Sequence, residues 1–257
     1  RFNEKIHADV NASYYYLDYD NSDQQFMNLY GWQRYTVGAE AGYVLSQWTD
    51  FIVAGSYQGY MQDNSEDLSG LAEQYGTRNR YSRNSQGWSL QGGLQSHLTE
   101  KITYRLLAGW SRFEYSDGLF TDDGFTYSAS ANWKINETWT TMLRAESYYM
   151  PSEREFGSAN RVDMVSWGIG HTMIRGKLNA TFDVAYRRET RVCNDISTYD
   201  YDENILSARL GLNYWVNRFL AVYLRGEYQG SIFGGDTGGM ERDYNRFRAS
   251  LGFTLSY

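Results

Sequence analysis

Three histidines, several acidic clusters, one cysteine and a set of strand-borne arginines are the groups that could do chemistry in this 257-residue chain. A serine nucleophile needs a base within hydrogen-bond reach. His7 lies near the start of the chain, and His97 and His171 fall just before short turns. No histidine accompanies the longer links, where a rim-type hydrolytic site would need one. Carboxylates gather at Asp18, Asp20 and Asp23, at Asp63, Glu66 and Asp67, at Asp117, Asp122 and Asp123, and at Asp195, Asp200, Asp202 and Glu203. A hard cation takes several oxygen ligands, but these spacings lack the EF-hand pattern and read as a solvated acidic rim. Gly234-Gly-Asp-Thr-Gly-Gly239 lacks the lysine and helix of a phosphate loop. Cys193 is alone, so neither an intrachain disulfide nor a zinc cluster is expected. No catalytic residue, metal or cofactor is expected.

The ionisable groups that remain sit within alternating segments. Strands are expected near 7–19, 32–46, 50–62, 86–98, 101–115, 125–136, 138–150, 161–174, 177–190, 204–216, 218–232 and 244–257. Side chains alternate faces along a strand. In 204–216 that alternation sets Leu206, Ala208, Leu210, Leu212, Tyr214 and Val216 against Ser207, Arg209, Gly211, Asn213 and Trp215. Segments 177–190 and 218–232 divide in the same way. The only stretch with helical spacing, Leu68–Tyr75, lies within a polar link. Twelve strands without intervening helices indicate a sandwich or a barrel.

The links decide between the two. Every second one is tight, as at Gln47–Thr49, Thr99–Lys101, Asn136–Thr138, Ile174–Lys177 and Val216–Arg218. The others, about 20–31, 63–85, 116–124, 151–160, 191–203 and 233–243, are long and polar. Strict alternation of short and long links is the arrangement of an outer-membrane barrel, with short periplasmic turns and longer external loops. Both ends of the chain then lie on the periplasmic side. A Greek-key sandwich mixes its loop lengths. The polar parity carries too much charge to fill a soluble core, so the apolar parity faces lipid.

Composition is compatible with this. Mean hydropathy is −0.63, which a barrel tolerates because half of each strand is hidden from lipid. No apolar run approaches the ~20 residues of a spanning helix. The net charge of −7 argues against nucleic acid. With 24 Tyr and 8 Trp, rings are available for girdles at both interfaces. Trp48, Trp133, Trp139, Trp215 and Phe219 flank the short turns, and Trp32, Tyr60, Trp88, Tyr115, Phe125, Tyr149 and Tyr244 the long links. Any signal peptide is expected to have been removed or to lie outside this sequence, which starts at Arg1.

The final segment places Phe247, Ala249, Leu251, Phe253, Leu255 and Tyr257 on one parity. It resembles the C-terminal strand of bacterial outer-membrane barrels. That resemblance makes Phe253, Leu255 and Tyr257 an assembly signal read by the barrel-assembly machinery. Together with Leu210-Gly-Leu-Asn-Tyr-Trp-Val-Asn-Arg218 and Asp243–Tyr257, the chain resembles the porin 2 type of β-barrel porin from Gram-negative bacteria. Members commonly end in Phe rather than Tyr. The resemblance implies a passive pore or outer-membrane conduit and supplies no catalytic residues.

The expectation is therefore an all-β chain forming a single domain over 1–257, a twelve-stranded antiparallel up-and-down transmembrane barrel. Its expected pore lining is Glu40, Arg105, Arg144, Glu146, Asp183, Arg187, Arg209, Arg225, Glu227, Arg246 and Arg248, with Asp9 on the same face. Either a basic stripe opposite an acidic patch orients polar or anionic solutes, or a charge ladder cross-links the wall. The first reading is a narrow channel for small polar solutes or ions, surrounded by outer-membrane lipid and lipopolysaccharide. Its alternative is a structural barrel that docks envelope proteins or copies of itself, with Tyr75, Arg78, Arg80, Tyr81 and Arg83 as a contact patch. A lipid hydrolase or protease is the weakest reading.

Overall fold

Alternation in sequence becomes one continuous antiparallel sheet. The structure is a computed structural model that describes residues 5–17, 32–62, 84–115, 121–151, 159–174, 176–192, 201–235 and 243–255. Its strands are β1 (Ile6–Leu17), β2 (Trp32–Val44), β3 (Thr49–Gln62), β4 (Ser85–Thr99), β5 (Ile102–Tyr115), β6 (Thr121–Lys134), β7 (Trp139–Pro151), β8 (Ala159–Met173), β9 (Leu178–Val192), β10 (Tyr201–Trp215), β11 (Leu220–Gly235) and β12 (Tyr244–Leu255). Each strand pairs with its sequence neighbours, in the order β1 to β12. No ladder joins β1 to β12 among the described residues.

The short turns are short because a side-chain acceptor begins them. Asn136 Oδ1 accepts from the backbone N–H of Thr138 and Trp139, each at 2.9 Å. Asn217 Oδ1 accepts from Phe219 at 2.8 Å and Leu220 at 3.0 Å. Thr99 Oγ1 does the same for Lys101 and Ile102, both at 3.1 Å. These local bonds satisfy the turn backbone without added chain. The fourth turn instead takes left-handed backbone at Ile174 (φ 52°) and Gly176 (φ 83°).

Register staggers steadily around the wall. One row of paired residues runs from Asp50 at the start of β3 through Gln95, Arg105, Ser130, Arg144, Ser166, Ala185, Ser207 and Gln229. It reaches Arg246 near the opposite end of β12. Such a stagger is the shear a barrel with tilted strands requires.

Several segments begin earlier than expected. β6 starts at Thr121 rather than 125, and β10 at Tyr201 rather than 204. Asp122, Asp123, Asp202 and Glu203 thus belong to strands, not to an acidic rim. Aspartate is disfavoured in strands, so propensity hid these extensions. The remaining acidic residues of the long links, Cys193, Leu68–Tyr75, the patch around Arg80 and the terminal Tyr257 lie outside the described residues.

The convex face is apolar. Val53, Leu90, Leu106, Leu143, Trp167 and Leu210 are each at least 40 % exposed on it. A continuous belt of this kind far exceeds the apolar patches that soluble monomers show; it faces hydrocarbon. Charges on this face, such as Arg112, Asp123, Arg161 and Arg188, sit toward the long-link ends, above the apolar belt. Leu210→Arg is expected to cost about 2–4 kcal/mol in vesicle refolding titrations. Ser207→Arg, on the other face of the same strand, should cost far less. Equal costs would overturn the assignment of faces.

Candidate functional site

The second face is concave, as its contacts reveal. Strands lie about 4.8 Å apart, so β2 and β5 are separated by roughly 14 Å along the sheet. Yet Glu40 of β2 and Arg105 of β5 form a two-point ion pair through both carboxylate oxygens. Gln91 of β4 donates to Thr126 Oγ1 of β6 at 3.2 Å. Gln58 of β3 donates to the Tyr149 carbonyl of β7 at 3.4 Å. Side chains can span several strands only where the wall curves towards them.

All eleven expected lining residues share this concave face by register. Arg105, Arg144 and Arg246 lie on the row already traced. Asp183, Arg209, Glu227 and Arg248 form another row across β9 to β12, alternating in sign. Arg209 Nε lies 3.4 Å from Glu227 Oε1. Along single strands, Arg144 Nε is 3.8 Å from Glu146 and Arg187 is 2.9 Å from Glu189. The guanidinium of Arg225 lies 4.9 Å from the centre of the Tyr223 ring, and Arg246 donates to Gln229 Oε1 at 2.7 Å. Arg105 also donates to Gln95 at 3.1 Å.

The charges divide along the strand order. Asp9 and Glu40, directly paired in register, stand at one end of the strand order. Arg225, Arg246 and Arg248 stand at the other. Near the short turns a cavity of about 640 Å³ is bordered by His7, Asp9, Glu40, Asp50, Gln95 and His97.

Two buried carboxylates were not expected. Glu189 and Glu203 are register partners, 8 % and 3 % exposed. Asn160 donates to Glu189 at 2.9 Å and Ser231 to Glu203 at 2.6 Å. Charge-assisted hydrogen bonds of this kind offset part of the burial cost. Parity placed Glu189 on this face, but nothing in its neighbourhood announced its burial. Glu203 lay outside the expected strand altogether.

The aromatics at the long-link end also divide unexpectedly. Trp88 and Phe125 are exposed on the lipid face, as a girdle requires. Tyr149 is only 5 % exposed and packs with Phe113 and Ala159, with Tyr60 against them. The β6–β7 ladder stops at Ser128↔Glu146, while β5–β6 continues to Glu114↔Thr121 and β7–β8 to Pro151↔Ala159. The upper part of β7 thus leaves the wall and leans over the concave side of β6. A Cβ on Gly124 would come within 2.8 Å of the Tyr149 hydroxyl, so the glycine makes room for the ring. On the convex side Arg161 and Tyr127 close over the break, through 3.2 Å and 3.5 Å bonds to the Phe125 carbonyl and to Asp163.

Comparison with known proteins fits this geometry. The family described as Putative beta-barrel porin 2 matches residues 67–256. Among curated proteins, none matches the chain in sequence. The fold resembles the FrpB iron transporter of Neisseria meningitidis, at TM-score 0.57 and 14 % identity over 91 % of this chain. The chain spans only 42 % of FrpB. Weaker likenesses include the Pseudomonas putida toluene transporter TodX, at TM-score 0.44 and 11 % identity, covering 99 % of this chain and 80 % of that one. Another is OmpT, an outer membrane protein of Vibrio cholerae, at TM-score 0.41 and 11 % identity, covering 98 % and 96 %. Twelve antiparallel up-and-down strands, an apolar convex face and a family match across most of the chain place this protein in the Putative beta-barrel porin 2 family of outer-membrane barrels.

Proposed function

We propose that this barrel is a passive outer-membrane channel for small polar solutes or ions, with its short turns and both chain ends on the periplasmic side. The observation that carries the reading is the concave face itself. Eleven charged residues from seven strands share it, while the convex face carries an apolar belt. The arginines of the last two strands, Arg225, Arg246 and Arg248, would draw anions. The paired groups, Glu40–Arg105 and Arg209–Glu227, would keep the wall shaped and hydrated. Outer-membrane lipid and lipopolysaccharide contact the convex face, and Phe253, Leu255 and Tyr257 engage the assembly machinery.

Single-channel recording in planar bilayers tests this. Steady ohmic openings are expected. Arg209→Ala and Arg225→Ala should shift the reversal potential in a salt gradient towards cation preference. Silence from protein that still migrates as a folded, heat-modifiable band would remove the channel reading. It would favour a structural barrel that docks envelope proteins or further copies of itself. The Phe113–Tyr149 cluster on the concave wall at the long-link end is the observation that favours this second reading.

A further inference from the structure

Beneath the Tyr149 cluster, a cavity of about 270 Å³ opens among β3 to β7. Its character differs from the rest of the concave face. Ser56, Ser89, Ser111, Gln58, Gln91 and Tyr148 border it together with Arg112 and Glu146, and hydroxyls and amides outnumber the charges. These groups bond one another. Ser56 and Ser89 are 2.7 Å apart, as are Ser111 and Thr126. A hydroxyl donates once and accepts twice, and a carboxamide donates and accepts twice, so each retains unused capacity. Ser147 borders the same cavity, is 3 % exposed, and its Oγ has no hydrogen-bond partner. A buried polar atom without a partner is uncommon in a folded protein and marks an open valence.

The two charged groups that line the cavity each have a partner. Glu146 has Arg144, and Arg112 has Glu114 at 3.3 Å. An ion entering here would lose water without meeting an unpaired counter-charge. A solute whose own groups both donate and accept would match the lining, and the Tyr148 and Tyr149 rings offer an apolar face for its C–H surface. The volume corresponds to roughly nine waters in the liquid, enough for one sugar-sized ring.

We infer that this cavity is a binding subsite for a neutral, polyhydroxylated solute of about monosaccharide size, in series with the charged rows. The inference rests on the channel reading, since the solute must reach the lumen. Glucose added to single-channel recordings of the full chain should reduce ion current saturably. The midpoint should weaken about fivefold for each lost hydrogen bond in Gln91→Leu and in Ser89→Ala, the latter deleting one oxygen as a guard against misfolding. Arg209→Ala should leave the glucose midpoint unchanged. Open channels whose current falls only as much as with a size-excluded polymer of equal viscosity would overturn the subsite and leave the channel intact. If no channels open, the channel reading falls, and saturation-transfer NMR of glucose with the detergent-solubilised chain decides the subsite alone. Transfer that Gln91→Leu abolishes would support it, and no transfer to the unaltered chain would overturn it.

Discussion

Tyr149→Ala is expected to raise open-channel conductance several-fold while leaving ion preference nearly unchanged. Tyr149 meets Phe113 and Ala159, with Tyr60 against them, where β7 leans over β6. These residues come from β3, β5, β7 and β8, so together they thicken the concave wall at the long-link end. The Gln58 bond to the Tyr149 carbonyl ties the same point to β3. Conductance through a series of constrictions is governed by the narrowest, and the ring is uncharged, so size should change and selectivity should not. Cutting a large buried aromatic to alanine costs about 3–5 kcal/mol in a closed core. Here one side is a water-accessible lumen, and a smaller loss of stability is expected. Tyr57→Ala serves as the control, because Tyr57 is 39 % exposed on the convex face and should not alter conductance. Unchanged current in a folded Tyr149→Ala protein would place the constriction elsewhere, among the Glu40–Arg105 group.

The second large effect is on assembly. Gly93→Ala and Gly109→Ala are each expected to abolish or sharply lower the yield of folded barrel. A Cβ at Gly93 would lie 1.8 Å from the Leu106 carbonyl oxygen, and one at Gly109 would lie 2.0 Å from that of Leu90. Both clashes are with backbone of the neighbouring strand, which cannot swing aside like a side chain. Only glycine permits β4 and β5 to fold so tightly towards the lumen. Overpacking ordinarily costs about 1–3 kcal/mol, and rigid backbone on both sides puts these positions at the upper end. Gly226→Ala is the contrasting variant, since nothing lies within 4 Å of its added carbon. The fraction migrating as a folded band without heating reads all three. Normal folding of Gly93→Ala would mean that β4 and β5 separate more easily than the register implies.

The other outcomes concern different links in the chain of cause. Leu210→Arg against Ser207→Arg tests which face meets lipid. Arg209→Ala and Arg225→Ala test whether ions pass the charged rows.

Much of the fold was legible in the sequence because its determinants are local. Two-residue alternation assigns faces within a strand without knowledge of its neighbours, and so Arg209 and Leu210 were separated correctly. Asn136, Asn217 and Thr99 close their turns by bonds to residues two or three positions on, which is why short and long links could be told apart. The number of strands, their up-and-down order and the shared face of the eleven charged residues all follow from those two local rules. Only the tertiary structure decided what depends on distance across the sheet. Glu40 and Arg105 meet because curvature brings β2 and β5 together. Tyr149, expected in an interfacial girdle, turns in against Phe113 because the β6–β7 ladder breaks above Ser128 and Glu146, whereas Tyr60 faces inward by the parity it shares with Asp50 and Gln58. Gly93 and Gly109 matter because two particular strands approach closely. Register, curvature and broken ladders are set by many weak contacts between segments far apart in the chain, and no single segment carries their signature.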